Sequence, residues 1–182
     1  NLWIQPAAGD AGGALGAALG YWYQELSQKR SVNNDDDAMK GSYLGPQFSN
    51  EEVEAKLNLL RANYIKYDND DELISVISKK INQKQIVGWF QGRMEFGPRA
   101  LGARSILADP RDEEMQKKLN LKIKFREGFR PFAPSIISEK KEDWFDLYQE
   151  SPYMLLVAQV KSEHILKMTD EQKKLFGIDK LN

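Results

Sequence analysis

The chain has 182 residues, 41% of them hydrophobic, and a formal net charge of −1. That is enough apolar material for a core, and too little net charge to draw in nucleic acid or an anionic membrane through a global field. Cysteine is absent, which excludes a disulfide framework, a thiolate metal site and a cysteine nucleophile. No apolar run approaches the roughly 18 residues of a membrane-spanning helix. No signal-peptide pattern opens the sequence, and the expected compartment is a reducing cytoplasm.

Leu2-Trp3-Ile4 is a short apolar run that reads as a strand, so the chain is expected to open inside an element of something longer. Gln5 to Gly9 is a turn, and Asp10 is placed to cap the helix that follows, over Ala11 to Gln28. That helix is built from Ala and Gly. Each interior glycine costs an isolated helix about 1 kcal/mol relative to alanine, so a backbone or a ligand is expected very close to it. Residues 31–45 hold an aspartate run and no periodicity, and are expected to be a linker.

Ser49 and Glu52 form a capping box at the start of a helix carrying Val53, Leu57 and Leu60. Tyr64 to Tyr67 is expected to be a short strand. Asp70 or Asp71 opens a helix whose apolar face is Leu73, Ile74, Ile77 and Ile81. Gln85 to Phe90 and Ser105 to Ala108 read as strands, Asp112 to about Leu121 as a helix, Pro131 to Ser138 as extended chain, and Glu139 to Leu147 as a short helix. Tyr153 to Val160 has the strongest strand pattern, and the polar tail is partly helical. The mixture predicts an α/β chain, a sheet covered by helices.

Two segments carry the chemistry. Phe96-Gly-Pro-Arg-Ala-Leu-Gly-Ala-Arg-Ser-Ile-Leu107 and Lys122-Ile-Lys-Phe-Arg-Glu-Gly-Phe-Arg-Pro-Phe-Ala-Pro-Ser135 interleave Arg99, Arg104, Lys122, Lys124, Arg126 and Arg130 with glycines, prolines and apolar residues. One reading is surface charge paired with Glu95, Asp109 and Glu127. The other is a site for a small, strongly anionic ligand, because planar guanidinium groups on a stiff backbone suit bidentate binding of phosphate or carboxylate. Ser105 and Ser135 offer hydroxyls to phosphate oxygens, or are turn and strand serines. Asp10 is either a helix cap or a carboxylate where metal or nucleotide phosphate approaches the backbone between Gly9 and Gly12. The only histidine, His164, lies in the polar tail, which argues against a Ser-His-Asp triad. One or two of the aromatics around the cations, Phe132 among them, are candidates to line a nucleotide base.

Pro6-Ala-Ala-Gly-Asp-Ala-Gly12, Tyr43-Leu-Gly-Pro46, the long Gly92–Arg111 segment and Lys124–Ser135 together resemble the C-terminal portion of the NodU/CmcH family of O-carbamoyltransferases. The resemblance implies a YrdC-like twisted mixed sheet with flanking helices over residues 46–182, truncated at its end and joined by a linker at 31–45. It makes residues 1–30 the strand-helix remnant of an actin-like ATPase (Kae1-like) domain. It implies that carbamoyl phosphate reacts with ATP and Mg²⁺ to give carbamoyl-adenylate and pyrophosphate, after which the carbamoyl group passes to an acceptor hydroxyl. On this likeness Arg99, Arg104, Lys124 and Arg126 are catalytic, while Arg130, Ser105, Ser135 and Phe132 bind substrate. Asp10 matches a ligand of iron or another divalent metal. The family's histidine ligands are not in this chain, so the metal is not expected to be retained by it. YrdC-like folds also bind double-stranded RNA, and a nucleic-acid module built on the basic run from Lys117 is the alternative; a scaffold without chemistry is a third.

Overall fold

The computed structural model describes residues 4–31 and 37–175. Two compact units divide the chain, each assembled from separated stretches. The first takes the chain up to Asp70, Gly88–Ile106 and Ser151–Leu156; the second takes Asp71–Val87, Leu107–Glu150 and the chain from Val157. The secondary structure is mixed α/β, as expected, with one two-stranded sheet among the described residues.

The first unit is organised by backbone hydrogen bonds between segments distant in sequence. The turn before α1 (Asp10–Gly20) closes with Ala8 N–H on Gln5 O at 3.0 Å and Gly12 N–H on Ala7 O at 2.8 Å. A Cβ on Gly12 would lie 2.3 Å from Ala7 O, so only glycine lets the turn and the helix meet. The close backbone expected beside this glycine-rich helix is found at Gly12 alone, where it is the chain's own turn; Gly13 and Gly16 face open space. The helix continues through a wider turn at Tyr21–Glu25, leaving Tyr21 and Trp22 exposed. Gly45 N–H donates to Met94 O at 2.9 Å, Met94 N–H to Pro46 O at 2.9 Å, and Phe96 N–H to Ser42 O at 2.6 Å. Pro6, Ala7, Met39, Ser42, Glu95 and Ala103 are buried in this region. Tyr153 is tied to it by its hydroxyl, which bonds the Asp37 carboxylate and accepts from Gly41 N–H.

Helix α2 (Asn50–Leu59) begins with the expected capping box: Glu52 N–H donates to Ser49 Oγ at 3.2 Å and Ser49 N–H to Glu52 Oε2 at 2.8 Å. The strand expected at Tyr64–Tyr67 is not formed. Tyr64 and Lys66 are instead bound back to α2, the tyrosine hydroxyl donating to Glu54 at 3.1 Å and the lysine pairing with the same carboxylate at 3.0 Å. Strands β1 (Val87–Phe90) and β2 (Arg104–Leu107) pair side by side, and Gln91 N–H on Ala103 O at 2.9 Å extends their pairing.

In the second unit, α3 (Asp70–Asn82) turns Leu73, Ile77 and Ile81 inward to half-buried positions and leaves Ile74 exposed. Helix α4 (Met115–Leu119) runs into a wider turn over Asn120–Lys124, and Met115, Leu119 and Asn120 are buried. Short helices α5 (Lys141–Trp144) and α6 (Asp170–Lys173) follow. Asp109 is held by Arg111, whose Nε and Nη2 both reach its carboxylate and whose Nη2 also donates to Asn82 Oδ1 at 2.7 Å.

The strongest expected strand, Tyr153 to Val160, is a correction. Among the described residues it makes only an isolated antiparallel bridge, Phe145 with Val160. Met154 has φ +53°, left-handed rather than extended, and Val157 is almost wholly exposed. A continuous apolar run reports a surface ready to be covered, but a strand also needs a neighbour for its ladder. The strand expected at Leu2-Trp3-Ile4 and the aspartates at 35 and 36 lie outside the described residues apart from Ile4.

Candidate functional site

The expected site residues fall in both units. Asp10, Arg99, Arg104 and Ser105 belong to the first; Lys124, Arg126, Arg130, Phe132 and Ser135 belong to the second.

In the first unit the loop between β1 and β2 folds around one carboxylate. Glu95 is buried, and its Oε1 accepts from Leu101 N–H at 2.6 Å and Ala103 N–H at 2.8 Å. Its Oε2 is buried and lies 3.5 Å from Arg104 Nε. Burial pushes the Glu95 carboxyl up, but the backbone N–H groups around it outweigh burial and hold it below the usual carboxylate range. Arg104 also donates through Nη2 to Gly97 O, and Ser105 Oγ accepts from Gly102 N–H at 3.1 Å. Tyr43 donates to Leu101 O at 2.8 Å. Thus Arg104 and Ser105 are half-buried braces of the loop, whereas Arg99 at its crest is exposed and has no ion-pair partner among the described residues.

The same loop meets the start of α1. Gly97 has φ +107°, and a Cβ there would lie 2.9 Å from Ala7 Cβ. Beside this contact is an open cleft of about 360 Å³ lined by Ala7, Gly9, Asp10, Ala11, Gly97 and Pro98. Asp10 is the first residue of α1 and is exposed. Sequence motifs roughly 90 residues apart therefore converge on one cleft with a carboxylate and a helix N-terminus at its edge. For a divalent metal the donor set is insufficient: Asp10 supplies one carboxylate, and no group of three His, Asp or Glu side chains is placed to hold an ion among the described residues.

In the second unit the basic loop is built on Asn120. Its side chain is fully buried. Nδ2 donates to Gly128 O at 3.0 Å and to Arg130 O at 2.8 Å, while Oδ1 accepts from Arg126 Nε at 2.6 Å. Arg126 N–H returns to Asn120 O at 3.0 Å. Gln116 Nε2 donates to the neighbouring Phe129 O at 3.2 Å and shares Arg130 O at 3.3 Å. The Arg126 guanidinium carbon lies 4.9 Å from the Phe132 ring centroid, a cation–π arrangement. Arg130 pairs with Glu127 at 3.0 Å in the open. Lys122, Lys124 and Ser135 are exposed. Sequence reading passed over Glu95 and Asn120 as functional elements. The available signal was an acid inside an arginine-rich glycine motif, and a poor helix former directly before a run of cations.

The chain is thus a mixed α/β protein whose cationic loops are braced by buried polar side chains, Glu95 in one unit and Asn120 in the other. The comparisons give that class a family. The carbamoyltransferase C-terminus family matches residues 78–175, and the chain belongs to this carbamoyltransferase family. It is 58% identical over its whole length to an uncharacterized protein of Synechocystis sp., covering 30% of that protein. It is 38% identical to nodulation protein NolNO of Sinorhizobium fredii, over 88% of the chain and 23% of that protein. It is 34% identical to nodulation protein U of Rhizobium fredii, over 88% of the chain and 25% of that protein. The chain thus spans less than a third of the length of the curated relatives it matches. No helix among the described residues is long and apolar enough to cross a membrane.

Proposed function

We propose that the full-length protein transfers a carbamoyl group to an acceptor hydroxyl, and that this chain supplies phosphate-binding loops for the activation step. The observation that carries the reading is the presentation of Arg126: one edge fixed by a buried amide, one face on Phe132, within a chain whose family is carbamoyltransferase. In the second unit Lys124, Arg126 and Arg130 neutralise phosphate oxygens of the substrates, and Ser135 offers a hydroxyl to the same oxygens; in the first, Arg99 offers a separate guanidinium to phosphate. Arg104 and Ser105 keep the first loop in shape. Mg²⁺, held mainly by substrate oxygens, would neutralise the leaving pyrophosphate.

The atoms balance when one water is consumed. Water converts carbamoyl phosphate to carbamate and inorganic phosphate; a carbamate oxygen then attacks the α-phosphorus of ATP, and pyrophosphate leaves that phosphorus as carbamoyl-adenylate forms. Each hydrogen bond to a charged group contributes about 1.5–3 kcal/mol, so three or four such contacts supply a substantial part of the affinity for a phosphate-bearing ligand. The YrdC-like architecture and the assignment of the first residues to the end of a Kae1-like domain belong to this proposal, as does a metal bound through Asp10 with ligands from elsewhere in the longer protein. Alanine at Arg99 or at Arg126 in the full-length protein is expected to abolish carbamoyl-phosphate-dependent exchange of pyrophosphate into ATP. Near-normal exchange in both variants would sink the assignment.

A further inference from the structure

We propose that Asn120 is a positioning residue that aims Arg126 at a phosphate-bearing ligand. The inference rests on the anion-binding reading above. Asn120 is buried completely, and its two donated bonds and its one accepted bond all go to the basic loop. An amide is the side chain that can do this, because it carries two donors and an acceptor oxygen in one plane. The two donations hold the carbonyls of Gly128 and Arg130 inward. The acceptance takes the Nε–H of Arg126, while Phe132 supports the flat face of the same guanidinium. What remains is the edge bearing Nη1 and Nη2, which has no partner among the described residues. Two parallel N–H vectors on one edge match two oxygens of a phosphate. Lysine at position 126 would bring the charge without the Nε–H or the edge.

This role differs from that of a core filler. A residue that merely stabilises the loop lowers stability when removed, and its effect on anion affinity is independent of Arg126. A residue that acts through Arg126 loses its effect on affinity once Arg126 is gone.

The test uses the full-length protein and inorganic pyrophosphate, with binding measured by calorimetry. Asn120→Ala is expected to weaken binding about tenfold in the wild-type background and less than twofold in the Arg126→Ala background. Equal losses in both backgrounds overturn the proposal. Gln116 still covers the loop carbonyls in Asn120→Ala. A second measurement leaves Asn120 in place altogether. Arg126→Ala should regain pyrophosphate binding in millimolar guanidinium, since Asn120 Oδ1 and the Phe132 face form a ready cradle, and should not regain it with ethylammonium. Absence of guanidinium rescue overturns the proposal. If pyrophosphate binding shows the coupling but the protein catalyses no carbamoyl-dependent exchange, the carbamoyl reading falls and the positioning role stands. If exchange proceeds and the two variants act independently, the reverse holds.

Discussion

Gly97→Ala tests the convergence of the glycine motif at the start of α1 with the Gly-Pro-Arg loop. At φ +107° an alanine sits outside the ordinary L-residue basins, which costs about 1–3 kcal/mol. Its Cβ would also approach Ala7 Cβ to 2.9 Å, and forcing a methyl into a packed contact costs about 1–3 kcal/mol more. The expected total is about 2–6 kcal/mol. Gly92→Ala is the control, because Gly92 has φ +60° with nothing within 4 Å of the added carbon; it should cost only the left-handed term, about 1–2 kcal/mol. Equilibrium urea denaturation of the full-length protein, following the transition that carries this unit, measures both. Ala7→Gly in the Gly97→Ala background should return the packing part, about 1–3 kcal/mol. If Gly97→Ala and Gly92→Ala cost the same, or if Ala7→Gly returns nothing, the two motifs do not touch as described.

Two further outcomes follow from the ion pairs. The side-chain hydrogen bond from Arg111 lowers the Asp109 carboxyl from 3.8 to about 2. A depressed carboxylate contributes stability that is fully present above pH 4 and is lost as pH falls through about 2; the difference in urea midpoint between wild type and Asp109→Asn should therefore be constant from pH 7 to 5 and close toward pH 2. A difference that does not change with pH rejects the pair. Glu95→Gln keeps an acceptor for Leu101 and Ala103 but removes the charge beside Arg104, and should cost about 1–3 kcal/mol because charge-assisted bonds become neutral ones; a neutral effect in denaturation would show that the carboxylate does not organise the loop.

Elements with local signals were legible in the sequence. The Ser49 capping box, α3 with its apolar stripe, and both strands flanking the Gly-Pro-Arg loop stand where side-chain spacing and cap chemistry put them. The family was legible too, because its glycines, prolines and arginines occur in an order that few other constraints produce. Strands at Tyr64 and Tyr153 were misread because pairing is non-local: Tyr64 spends its hydroxyl on α2 and Tyr153 on the Asp37 and Gly41 region. The cations could be named from sequence, but not sorted into those that brace a loop and those that face outward. That sorting depends on Glu95 and Asn120, whose burial and partners arise only when segments 6–10 residues apart fold back on each other.

The most direct test of the central claim is a rapid-quench single turnover of the full-length protein with [¹⁴C]carbamoyl phosphate and [α-³²P]ATP. The account predicts one transient product carrying both labels, carbamoyl-adenylate, formed with wild-type protein and absent with Arg126→Ala. Transfer of ¹⁴C to an acceptor hydroxyl with no doubly labelled species at any time, and with ATP dispensable, would contradict it.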